Sequence, residues 1–259
     1  ITGPPWYDEA TGRQLDEKKV AKGMRSEEES LEKFGTYIWV LAKMAQQKNV
    51  VVVQSRWLLG ERDNGDRVKA RIVAQQLNKG SAMDTYAAAP TSVAARLLAM
   101  YATEKHYLVK LGDGSTAFLH ATLPDDETVL VEPPPSLRRP GWLWQLKKAL
   151  YGLRISPRLF QEFAVDVLKN KKWRRLRADP QMFVHQEGAL LTMHADDILL
   201  AESSASMEQR QKELNEDMKI KWGHVLDEQW RKYLGREWRM MDGEYQVRIP
   251  DHYWSSILD

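Results

Sequence analysis

A chain of 259 residues with 43% hydrophobic side chains is long enough for one sizeable core or two modest domains. Charged residues make up 29% and balance to a formal +2, which excludes a polybasic tail or an acidic disordered segment and leaves nucleic-acid binding to local clustering. The lack of cysteine excludes disulfides, thiolate metal sites and a cysteine nucleophile, and no run approaches the roughly 18 apolar residues of a membrane span. The opening "ITGPPWYDEATG" has neither an initiator Met nor a signal-peptide pattern and reads as an internal piece of a longer chain.

From Leu15 to Phe34 the residues Val20, Met24, Leu31 and Phe34 recur at helical spacing, behind Asp16 as N-cap and before Gly35 as a stop. "NVVVVQSRWLL" (49–59) and "RVKARIVAQQL" (67–77) are β-rich runs joined through Asn64-Gly65, a strong short hairpin signal. A second helix is predicted from Thr91 to Glu104, with Val93, Leu97, Leu98 and Tyr101 on one face. "YLVKLGDGSTAFLHA" then passes from strand to helix at Asp113-Gly114, and "EPPPSLRRPGW" reads as a loop. Ser156-Pro157 supplies an N-cap and N1 pair for a helix whose face carries Phe160, Phe163, Val167 and Leu168. Residues 179–203 read as three strands turning at Gly188 and at Asp196-Asp197, and Met207 to Met218 as a further helix. Helices alternating with antiparallel hairpins give an α+β class.

Adjacent aspartates at a hairpin tip have an ordinary explanation, because Asp tolerates turn geometry and bonds to its own backbone. Asp113 adds a second carboxylate at a strand-to-helix corner, where free backbone N–H groups suit a phosphate. If the two corners meet, three carboxylates converge and need hard cations such as Mg²⁺, shared with substrate phosphates. Spacing does not show that they meet. Lys69 and Arg71 alternate on one side of a strand, a geometry that suits a triphosphate and equally suits plain solvation. "KNKKWRRLR" (169–177) reads either as a phosphate-binding stretch with Trp173 as a stacking ring or as a solvated helix end with Trp173 in the core. The six histidines show no ligand spacing, so no zinc site is assigned.

The ordered blocks "SEEESLEKFGTY", "VKARIVAQ", "STAFLHA", "LWQLKKALYGLRISPRLF", "DPQMFV", "ADDILL" and "YLGREW" resemble the reverse transcriptase of copia-type long-terminal-repeat retrotransposons. The resemblance implies a right-hand polymerase: a lead-in helix over 1–36, fingers and palm over 37–240, and the start of a connection to the thumb over 241–259, with the thumb itself essentially missing. It implies RNA-directed DNA polymerase activity with two Mg²⁺ ions, for which Mn²⁺ substitutes, held by Asp113 and Asp196 with Asp197 more peripheral. Phe118 falls on the aromatic position that blocks a ribose 2′-OH. Lys69 and Arg71 fall in the fingers strand that clamps the triphosphate, Tyr151 and Gly152 lie in the loop beside the nascent base pair, and Gly114 belongs to the nucleotide-binding set. Arg154 and Ser156 lead into the palm helix, and Tyr233, Leu234 and Gly235 belong to the hairpin that grips the primer. The implied partners are an RNA template, a DNA or tRNA primer, dNTP and the remainder of a Gag-Pol polyprotein with RNase H and integrase, in a cytoplasmic virus-like particle or the nucleus, with no membrane.

The chain departs from the family pattern at His194 and Ala195 before the acidic pair, and in "GDGSTAF", where Gly114 and Ser115 replace a β-branched residue and a lysine. None of these removes a metal ligand. They motivate an alternative, a catalytically silent retrotransposon-derived domain that serves as a structural or nucleic-acid-binding component.

Overall fold

A computed structural model describes residues 5–46, 50–76, 93–114, 116–125, 127–251 and 253. In chain order the elements are α1 (Glu17–Lys33), β1 (Tyr37–Leu41), β2 (Val50–Arg62), β3 (Arg67–Ala74), α2 (Ala94–Lys105), β4 (Leu108–Gly114), α3 (Ala117–His120), β5 (Thr128–Glu132), β6 (Trp142–Leu146), α4 (Ser156–Asn170), β7 (Trp173–Arg175), β8 (Met182–His185), β9 (Leu190–His194), β10 (Asp197–Glu202), α5 (Met207–Met218), β11 (Ile220–Val225), β12 (Arg231–Tyr233), β13 (Arg236–Met241) and β14 (Glu244–Arg248). They form two compact units, Ile1–Tyr86 with Phe118–Phe160, and Ala87–Ala117 with Gln161–Asp259.

The first unit is built on a five-stranded sheet in the order β1-β6-β5-β2-β3. β2 is long enough to serve two partners: Val50 to Gln54 pair in parallel with Thr128 to Glu132, and Ser55 to Arg62 pair antiparallel with Ala74 to Arg67. The β2–β3 hairpin signalled by Asn64-Gly65 forms: the last pair is Arg62↔Arg67, and a 3-10 turn over Asp63–Gly65 lies between the strands. α1 begins where its cap predicts: the Asp16 carboxylate accepts the Lys19 N–H at 2.9 Å, and Val20, Met24 and Leu31 are buried on one face. Each of those apolar side chains contributes roughly 1.5–3 kcal/mol of burial.

Residues 6–15 turn back on themselves through a Tyr7↔Gln14 bridge and lie along β2. Asp8 ties this turn together, accepting from Ala10 N, Thr11 N and Oγ1, and Glu61 N at 2.7–3.0 Å. Those donors, the Glu61 amide first, hold its carboxyl at about 2. Glu9 grips Arg56 through two bonds of 2.8 and 2.9 Å.

The second unit is built on a six-stranded antiparallel sheet in the order β11-β4-β10-β9-β8-β7. α2 packs on it by only part of the predicted face: Leu98 is buried and Tyr101 packs against the same core. Val93 and Leu97 are 50% and 48% exposed, and the buried face is Ala94, Ala95, Leu98, Ala99 and Ala102. Alanine lets a helix axis come close to a sheet, so the small residues rather than the large ones mark the contact. Residues 91 and 92 of the predicted helix lie outside the described residues.

α5 spans Met207–Met218 as its periodicity predicts. Its buried Arg210 donates to Glu202 at 3.0 Å, to Glu187 at 2.6 Å, to Glu213 at 2.5 Å and to His185 Nε2 at 3.1 Å. Loss of hydration, followed by the Arg210 charge, pushes His185 below its ordinary value. Trp173 is buried, its ring edge-on to His185 at 5.2 Å, so the core reading of "KNKKWRRLR" holds and no stacking ring is presented to solvent. Ser156 is the first residue of α4, and its hydroxyl donates to the Leu150 carbonyl at 2.7 Å instead of capping the helix.

Candidate active site

Two groups of side chains carry the chemistry, one in each unit. In the second unit, register does what spacing could not. Asp197 is the cross-strand partner of Asp113, and the Gly114 N–H donates to the Asp196 carbonyl at 2.7 Å, which locks the acidic turn to the end of β4. Cross-strand partners share a face. Lys221, Asp113, Asp197 and His194 therefore form one row across β11, β4, β10 and β9. Partial loss of hydration, then the charges of Asp196 and Asp113, push the Asp197 carboxyl above the ordinary carboxylate value, with His194 opposing.

The turn that carries the pair is tight. His194 and Asp197 face each other, so Ala195 and Asp196 form a two-residue loop, and Ala195 sits at φ +49°. Gly112, two strand positions from Gly114, answers a close approach: a Cβ there would lie 2.7 Å from Ile220 Cγ2 and 3.0 Å from the Trp222 ring.

The same unit contains the hairpin around Tyr233. Arg231 to Tyr233 pair with Trp238 to Arg236, and Leu234 and Gly235 both take positive φ, 48° and 69°, as a type I′ turn requires. Tyr233 is buried, and among the described residues its hydroxyl has no hydrogen-bond partner. Burial, with a further push from Asp197, raises it well above the usual tyrosine value.

In the first unit, the odd-numbered residues of β3 turn Lys69 and Arg71 outward while Val68, Ala70, Ile72 and Ala74 are buried. The Arg71 guanidinium lies 4.8 Å from the Tyr151 ring centre, and Tyr151 meets Phe118 edge-on at 5.1 Å. The Tyr151 carbonyl accepts the Ala74 N–H at 2.7 Å. Gly152 follows at φ +84°, where a Cβ would run into the Ala74 carbonyl oxygen, so both conformation and contact require glycine. Arg71, Tyr151, Gly152 and Phe118 thus form one cluster on β3, with Lys69 two residues along the same face.

Of these residues, Lys221 and Gly112 carry no signal in the sequence. Only the β11–β4 register brings Lys221 to Asp113, and a bulge between Trp222 and Val225 hides that register from alternation. Ser115 lies outside the described residues.

The carboxylates of Asp113, Asp196 and Asp197, gathered at the end of β4 and the β9–β10 turn, are hard oxygen donors of the kind a hard divalent cation takes. Among the described residues no set of three His, Cys, Asp or Glu side chains is gathered at metal-holding spacing, so the carboxylates are neighbours and not a closed cage.

The family described as reverse transcriptase (RNA-dependent DNA polymerase) matches residues 37–259. The chain is 30% identical over 179 residues to the retrovirus-related Pol polyprotein from transposon RE1 of Arabidopsis thaliana, covering 64% of this chain and 12% of that polyprotein. It is 26% identical over 199 residues to that from transposon TNT 1-94 of Nicotiana tabacum, covering 71% of this chain and 14% of the relative. Among solved structures, the foamy viral protease-reverse transcriptase in complex with dsDNA shares the fold at a TM-score of 0.50 and 16% identity, over 99% of this chain and 48% of that one. The chain belongs to the reverse transcriptase (RNA-dependent DNA polymerase) family, in the branch carried by Pol polyproteins of copia-type retrotransposons.

Proposed function

We propose that this chain is the fingers and palm of an RNA-directed DNA polymerase within a longer Pol polyprotein, and that it extends a primer with deoxynucleotides on an RNA template. The observation that carries the reading is the row in which Asp113 and Asp197 stand side by side on β4 and β10 with Asp196 bonded to the end of β4. In the reaction the primer 3′-oxygen bonds to the α-phosphorus of a dNTP, the bond to the bridging oxygen breaks, pyrophosphate leaves, and the hydroxyl proton passes to water.

Asp113 and Asp196 are the residues that would hold two Mg²⁺ ions, with Asp197 the outer member. Bound there, the ions supply Lewis-acid stabilisation of the attacking and leaving oxygens. Lys69 and Arg71 take the triphosphate charge, and Arg71 is oriented for it by its seat on Tyr151. Phe118, braced edge-on by Tyr151 and by Phe160 at 5.9 Å, fills the space a ribose 2′-OH needs. The Leu234-Gly235 turn offers its backbone to the primer end, and Lys221 adds positive charge beside Asp113.

Substituting Asp196 by Asn should abolish Mg²⁺-dependent primer extension on an RNA template, read with labelled dNTP. Extension that survives in the variant removes the assignment. A second reading, a retired domain that binds nucleic acid without catalysis, is favoured by His194, whose imidazole stands across the hairpin from Asp197 where it competes for that carboxylate's charge. Templated incorporation by the unaltered chain eliminates it.

A further inference from the structure

β3 is the last strand of the fingers sheet, so the backbone groups along its outer edge have no strand to pair with. Open edges invite mispairing, and native folds cover them. This one is covered piece by piece. The Lys19 ammonium donates to the Gly65 carbonyl at 2.5 Å just before the strand. Gly23 brings the α1 backbone so near that a Cβ there would lie 2.5 Å from the Val68 carbonyl oxygen. The Glu27 carboxylate accepts the Ile72 N–H at 3.2 Å, and one strand pair later the Tyr151 carbonyl accepts the Ala74 N–H at 2.7 Å.

Glu27 is the unexpected member. It is buried, and its bond to Ile72 joins a charged group to a neutral amide, a costly way to satisfy one donor. Burial pushes its carboxyl above the ordinary value, while Arg71 and Lys69 pull it back. Those are the two cations of the proposed triphosphate clamp, and they sit one residue before and three residues before Ile72 on the same strand.

We propose that Glu27 is a positioning residue for the nucleotide clamp: by holding the Ile72 amide on the open edge of β3 it fixes the strand that presents Lys69 and Arg71, and so sets affinity for the incoming triphosphate. The inference rests on the reading of Lys69 and Arg71 as triphosphate ligands. It assigns α1 a part in substrate binding through the strand it braces.

The test compares the full chain with Glu27→Leu, which removes the acceptor, and Glu27→Gln, which keeps one. Hydrogen exchange of the β3 amides is followed without and with dATP, and single-nucleotide extension gives KM for dNTP and kcat separately. Glu27→Leu should speed exchange at Ile72, weaken the protection dATP gives to β3, and raise KM about ten-fold, the fold-change of one lost hydrogen bond, with kcat nearly unchanged. Glu27→Gln should restore all three. An unfolded fraction in the Leu variant lowers apparent kcat and leaves KM alone, so a kcat loss at constant KM overturns the proposal, as does an unchanged Ile72 exchange rate. If the unaltered chain incorporates no nucleotide, the polymerase reading fails by itself, and dATP protection of β3 decides: equal protection in all three proteins, or none, overturns the positioning role.

Discussion

Ala195 holds a φ of +49° between the strands that deliver the aspartates, in a two-residue loop where glycine is the residue without penalty. Ala195→Gly should therefore stabilise the chain by about 0.5–1 kcal/mol in urea unfolding, the relief of a left-handed Cβ less the entropy of glycine. A β-branched residue there should do the reverse. Asp8 gives a prediction in pH. Its folded value of about 2 lies below the ordinary 3.8, so its contribution is complete above 3.8 and fades as pH falls toward 2. Asp8→Asn should lower Tm at pH 7, with the gap to the parent chain closing below pH 3.8, as calorimetry across pH checks. At this scale the sequence was informative about identity and silent about proximity. Asp113, Phe118 and Tyr151 could be picked out by motif, whereas Lys221 could not, because its only claim is a register that crosses a bulge.

Elements were legible where one face is apolar and the ends are signed. α1 has Asp16 at its start and a buried stripe of Val20, Met24 and Leu31, and periodicity found it. α2 was found, with only part of its face as expected: Leu98 is buried among alanines, while Val93 and Leu97 point out. Strands β1, β5, β6, β7, β11 and β14 were not identified, for the physical reason that short strands in mixed surroundings show no clean alternation. Arg210 on α5 tests how far an element depends on one buried charge. Its side chain satisfies Glu202, which is itself 3% exposed, so Arg210→Ala leaves an uncompensated carboxylate inside the second unit. The expected loss is about 3–5 kcal/mol by chemical denaturation. Replacing Arg210 and Glu202 together by apolar residues should recover most of it.

At the scale of the molecule, the α+β class was legible from helices alternating with antiparallel hairpins, and the polymerase family from seven blocks in family order. The division of the chain was not, because neither unit is continuous: Ile1–Tyr86 joins Phe118–Phe160, and Ala87–Ala117 joins Gln161–Asp259. No composition shift marks those crossings. A fragment ending at residue 117 holds only the first segment of each unit and should show no cooperative unfolding transition by circular dichroism, while one ending at 160 completes the first unit.

The parallel pairing of β2 with β5 has a consequence in time. Ser55 meets the Glu132 carbonyl 77 positions later, so at about 5–20 residues per second a ribosome makes β2 roughly 4–15 s before its partner exists. Until then the nascent "VVVV" segment is an unpaired apolar strand with no neighbour on that side. The yield of soluble protein from a cell is thus governed by how that interval is chaperoned, and less by the depth of the final energy minimum.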